Sequence, residues 1–169
     1  MILETVVVGA IETNCYILAA EDGADALIID PGSDAQAIKE VLARHRLLAS
    51  LVHAAVEGWR EGGALDFFAR EASSRSTAVT TIAVPPGTDV DALRAVAREE
   101  FQVAFAGALG PLHGKGFRIG HLGDQNPAGM LGCLAVVEAA LRVQGIAVGA
   151  GGVQRAVMAL AQQERAASR

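Results

Sequence analysis

Aromatic residues are scarce in this chain. One Trp, one Tyr and five Phe make up 4% of its 169 residues, which leaves no row of stacking platforms for nucleic acid. Basic residues are in the minority, 14 Lys and Arg against 19 Asp and Glu, for a net charge of -5. No basic run occurs, so a polyanionic partner is not expected. Lysine appears only twice, as Lys39 and Lys115. Cysteine also appears twice: Cys15 and Cys133 stand far apart, which fits a reducing compartment and neither a disulfide framework nor a CxxC metal pair. No apolar run reaches the about 18–20 residues of a membrane span. The opening "MILETVVVGAIETNC" lacks the basic start and apolar core of a secretory leader. The expected setting is the cytoplasm, with no membrane and no nucleic acid as partner.

What the chain does have is Ala, Val and Leu. Hydrophobic residues are 51% of the total, enough for one domain with a real core. Residues 4–9, 14–20 and 26–30 are extended apolar runs separated by "IETN" and "EDGAD", the pattern of a β-meander. Ser33 with Gln36 resembles a capping box. Apolar residues at helical spacing then run from Ile38 to Trp59, predicting a helix over 34–62 that ends at Gly62-Gly63. Strands are expected at 65–69, 76–85, 103–109 and 116–122, and a helix capped by Asp89 between the second and third. Asn126-Pro127 is an N-cap and first helical residue for a helix to about Arg142. A final helix covers 153–166. Adjacent strands without intervening helices predict an α+β architecture: a two-layer, mixed but largely antiparallel sheet with helices on one face, plus an N-terminal β-hairpin and a long helix.

Arg118 stands between Phe117 and Ile119 in "GKGFRIGHLGD", a short strand bounded by glycines. An arginine in such a place needs an anion. The intramolecular choice is an ion pair with Asp124 or Glu99; the other is a ligand. Metal chemistry has little support. Eight residues separate His45 from His53 and His113 from His121, about 12 Å along a helix, and no HxH or HxxxH occurs. His45 and His53 are expected on the helix surface and His113 in a loop, with His121 orienting its neighbours. Asp30 and Asp34 suit turn and cap roles. Cys15 and Cys133 suit packing, and no GxSxG elbow or phosphate-cradling glycine loop is present.

The motifs "RHRLLASLVHAAVEGW", "SRSTAVTTIAVPPGTDVDALR", "GPLHGKGFRIGHLGD" and "GAGGVQRAVMAL" follow in order across residues 44–163. This stretch resembles the small C-terminal domain of serine/alanine–glyoxylate aminotransferases, class-V pyridoxal-phosphate enzymes of fold type I. The resemblance implies that Arg118 grips the α-carboxylate of an amino-acid or 2-oxo-acid substrate, as a planar guanidinium can do bidentately. It also implies pyridoxal phosphate as cofactor. That cofactor needs a Schiff-base lysine, an acid for the pyridine nitrogen and a phosphate cradle. In the resembled family all three lie in a large domain, and the lysine of "GKxFRIGH" is not the anchor. The expectation is therefore a substrate-binding Arg118 with no catalytic, cofactor-binding or metal-binding residue. Nor is cofactor expected to bind this chain alone, so that activity calls on a large-domain partner or an oligomer.

The first 42 residues, with "TNCY" and "IDPG", are similar to the opening of metallo-β-lactamase-fold hydrolases of the glyoxalase II type. There an HxHxDH metal motif follows, where this chain has "SLVHAAVEGW" and His53 alone. The expected division is a β-β-α unit at 1–42 and an aminotransferase-like unit at 43–169, joined inside a shared helix. A hydrolase remnant without its zinc motif and a non-catalytic interaction or fusion fragment are the competing readings.

Overall fold

A computed structural model describes residues 2–10, 12–19, 26–123 and 125–167. The first three strands, β1 (Ile2–Val8), β2 (Thr13–Ala19) and β3 (Ala26–Ile29), form an antiparallel meander in the order β1-β2-β3. The third run of the expected meander pairs Leu27 with Leu18 and Ile29 with Tyr16. The "EDGAD" turn lies outside the described residues. Side chains alternate across the sheet. Val8, Cys15 and Ile17 are buried against Ile38, with Val41 and Leu42 beside them. Leu3, Val7 and Leu27 are exposed.

Helix α1 (Ala35–Arg60) runs 26 residues without a break. Its cap is Asp34, whose carboxylate accepts from the Ala37 amide at 3.1 Å, and not Ser33. Gly32 turns the chain into the helix with φ +56°, and a Cβ there would stand 2.8 Å from Val8 Cγ2. Only glycine meets both demands. The first half of α1 packs on the meander, while Leu48, Leu51, Val52, Ala55, Val56 and Trp59 enter a second and larger core.

That core belongs to the second sheet: β4 (Asp66–Phe67), β5 (Val79–Ala83), β6 (Ala106–Gly107) and β7 (Gly116–Gly120), in the order β4-β5-β7-β6. Each described strand pair is antiparallel. Helices α2 (Val90–Phe101), capped by Asp89, and α3 (Pro127–Val143), capped by Asn126, share its core with α1. Phe67, Ile82, Phe117 and Ile119 supply the sheet side of that core, so the helices cover one face as expected.

Helix α4 (Gly152–Ala167) closes the fold by lying along α1. The two backbones meet at glycines: a Cβ on Gly58 would be 2.6 Å from Gly152 Cα. Glu138 of α3 locks this corner. Its Oε2 accepts from the Trp59 indole at 2.8 Å and from the Val153 amide at 3.3 Å, while Arg142 donates to Oε1 at 2.8 Å. Burial pushes the Glu138 carboxyl up, but these three donors together outweigh it and hold its pKa below the usual carboxylate value.

Glu4 of the meander also reaches the second sheet's end of the molecule. Glu4 Oε1 accepts from the Gly123 amide at 3.1 Å, just beyond β7. His45 Nε2 stands 3.3 Å from the same oxygen, out of line for a hydrogen bond. Among the described residues no helix is long and apolar enough to cross a membrane.

Candidate carboxylate-binding groove

Strand β7 sorts its side chains by parity. Phe117, Ile119 and, just past the strand, His121 point into the core and are 0%, 1% and 0% exposed. Arg118 and Leu122 take the opposite side, where Arg118 is half-buried and Leu122 is 44% exposed. The arginine that looks out of place between Phe117 and Ile119 is the outward position of a buried strand.

Its setting is a groove of about 1060 Å³ between β6–β7, the end of α2 and the first turns of α3. Val79, Phe105, Leu122, Met130 and Val136 give it apolar walls. The polar side chains of its lining are Arg94, Arg118, Gln102 and Gln125, with no acid among the described residues. Arg118 Nε donates to the Gly107 carbonyl at 2.9 Å. That bond orients the guanidinium without neutralising it, and Arg118 has no ionic partner among the described residues. Of the two acids considered for it, Glu99 pairs with Arg98 at 2.7 Å. Asp124 lies outside the described residues.

Arg94 of α2 is the second cation of the groove, and no feature of the sequence marks it. Its Nε donates to the Phe105 carbonyl at 3.1 Å and its Nη1 to Asp91 Oδ1 at 2.9 Å. Phe105 and Gly107 flank Ala106 on the edge strand. Because Ala108 donates to Gly116 and Ala106 pairs with Arg118, the carbonyls of 105 and 107 point away from β7. Arg94 and Arg118 therefore occupy the outward carbonyls of the sheet edge, which would otherwise be free to pair.

The histidines depart from expectation. His45 is 8% exposed and His53 is partly buried, so neither rides the helix surface. His53 stacks edge-on to Phe67 and His121, with ring centroids 5.7 and 6.1 Å away. Burial first, and then the charge of Arg75, pushes the His53 pKa below its usual value. His121 Nδ1 donates to the Thr77 carbonyl at 2.8 Å, and its Nε2 accepts from the Thr80 hydroxyl at 2.9 Å. It fastens the ends of β5 and β7 and faces away from the groove. Burial of the ring depresses its pKa to about 4. His113 is exposed in a turn, as expected. Among the described residues no three His, Cys, Asp or Glu side chains converge on a metal position. Cys15 is buried and Cys133, whose thiol pKa burial raises, faces the groove from α3.

The chain is 38% identical over 112 residues to the serine–glyoxylate aminotransferase of Hyphomicrobium methylovorum, covering 66% of this chain and 27% of that protein. It is 36% identical over 117 residues to the L-aspartate–glyoxylate aminotransferase of Paracoccus denitrificans, covering 69% and 28%. Among solved structures, pyridoxamine–pyruvate aminotransferase from Mesorhizobium loti matches with a TM-score of 0.68 and 30% identity, over 74% of this chain and 31% of that one. No family model matches the chain. The matched part of the chain is homologous to part of the class-V aminotransferases, and its antiparallel sheet with helices on one face is consistent with their small domain. Within that class, the matched two thirds of the chain belong with the serine/alanine–glyoxylate aminotransferases. The chain spans 27–31% of the length of these relatives.

Proposed function

We propose that this chain supplies the substrate-carboxylate arm of an aminotransferase that acts on amino acids and 2-oxo acids. One observation carries the reading: Arg118 faces a roomy groove without an acid in its described lining, oriented by a backbone carbonyl and free of an ionic partner among the described residues. A guanidinium so placed binds a planar carboxylate through its two terminal nitrogens. The apolar walls exclude water from one side of that ion pair and strengthen it.

The residues present do not fit pyridoxal phosphate. Neither lysine lines the groove: Lys39 lies on an exposed part of α1 and Lys115 in the exposed bend before β7. The groove's lining also holds no carboxylate for the pyridine nitrogen. In this reading the cofactor and its lysine come from a large-domain partner, and the chain alone does not transaminate. Residues 1–42 form a separate unit, appended through α1 and fastened by Glu4.

The test is a titration of the full chain with pyruvate at low ionic strength, followed by backbone amide NMR. Shifts are expected at Phe105, Gly107 and Ile119, and their loss in Arg118→Gln. Shifts that persist in Arg118→Gln, or no shifts at all, refute the assignment. Borohydride reduction in the presence of pyridoxal phosphate is expected to leave Lys39 and Lys115 without stoichiometric label.

A further inference from the structure

We infer that the groove is built for a substrate with two anionic groups, with Arg94 as the residue that selects for the second. The inference rests on the role proposed for Arg118. It begins from the edge strand. The Phe105 and Gly107 carbonyls that fix the two guanidiniums point the same way from residues two apart in extended chain, which separates them by about 7 Å. Two guanidiniums pinned at that interval present their remaining N–H groups to one space. A four- or five-carbon dicarboxylate reaches both, one carboxylate on each.

The surroundings favour the groove side of this pair. Arg94 and Arg118 also line a smaller hollow of about 370 Å³, but Asp89 and Asp91 line it too and oppose an anion there. The larger groove has both arginines and no described acid. Gln102 and Gln125 at its rim add neutral donors. Besides the Phe105 carbonyl, Arg94 has Asp91 as its ionic partner among the described residues, and that ion pair is exposed, with side chains 39% and 72% accessible. An exposed pair of this kind is weak and yields to a competing carboxylate. A monocarboxylate uses Arg118 alone.

The experiment compares succinate with butanoate, equal in carbon number and differing by one carboxylate. Each is titrated at low ionic strength into the full chain and into its Arg94→Gln, Asp91→Asn and Arg118→Gln variants, followed by amide NMR. Succinate is expected to bind the unmodified chain about tenfold tighter than butanoate. Arg94→Gln is expected to erase that preference by weakening succinate far more than butanoate. Asp91→Asn removes the competing charge at Nη1 and is expected to tighten succinate more than butanoate, which a merely structural Arg94 would not produce. Equal affinity for the two acids in the unmodified chain overturns the inference, as does an equal loss for both in Arg94→Gln. If butanoate binds and is lost in Arg118→Gln while succinate gains nothing, the role of Arg118 stands and that of Arg94 falls. If neither acid binds, both fall.

Discussion

Acid is expected to destabilise this fold through one buried imidazole. His121 is 0% exposed and spends both ring nitrogens on neutral partners, the Thr77 carbonyl and the Thr80 hydroxyl. Burial is the main cause of its depressed pKa, about 4 against the ordinary 6.5; the Thr77 carbonyl opposes the shift, and His53 and His45 add to it. In the unfolded chain the same ring protonates near 6.5. Between pH 6.5 and about 4 the unfolded state therefore binds a proton that the native state refuses. Stability is full above 6.5 and falls as the pH drops through this window. Linkage sets the loss between pH 7 and pH 5 at about 2 kcal/mol for this group alone.

Replacing the ring isolates its contribution. His121→Asn keeps an amide donor for Thr77 but cannot titrate. It is expected to be less stable than the parent at pH 7, because a buried ring is lost and a cavity opens. At pH 5 the gap should have narrowed by about 2 kcal/mol, since the parent has lost stability that the variant never had to lose. Urea denaturation followed by fluorescence of Trp59, the one tryptophan and fully buried, reads both values. His53 also titrates below its usual range, but it does so in parent and variant alike. Parallel stability curves from pH 7 to pH 5 would refute the reasoning.

Two further expectations concern packing. Gly152→Ala would drive a methyl into the Trp59 indole and toward the Ala55 carbonyl, and should lower stability by about 1–3 kcal/mol in urea denaturation; an unchanged midpoint would mean that α4 does not lie where it is described. Glu4→Ala strips the Gly123 amide of its acceptor and His45 of its anion. Hydrogen exchange should then show faster exchange at Cys15 and Ile17 and unchanged rates at Ile82 and Ile119, whereas uniform acceleration would contradict a local tie.

Much of the fold was legible because its signals are local. The caps Asp89 and Asn126 stand where their helices begin and accept from Ala92 and Gly129. The alternation of Phe117, Arg118 and Ile119 declares a strand buried on one side. Other features depend on what arrives from far away. Ser33 and Asp34 are both good caps, and the folded chain uses the second. His45 and His53 look like surface residues on α1 until Glu4 comes from β1 and Phe67 from β4 to cover them. The run at 103–109 pairs over only two residues as a strand, and two arginines take outward carbonyls along its edge. Arg94 had no local mark, because an arginine on an exposed helix face is ordinary. Its meaning comes from the carbonyl it reaches eleven residues later. Arg118 shows both kinds of information at once. Its place on a half-buried strand was readable, and so was its need for an anion. That Glu99 is already taken by Arg98, and that a backbone carbonyl aims the guanidinium without quenching it, are facts of the folded edge. In the proposed reading they leave its terminal nitrogens to the carboxylate of a ligand.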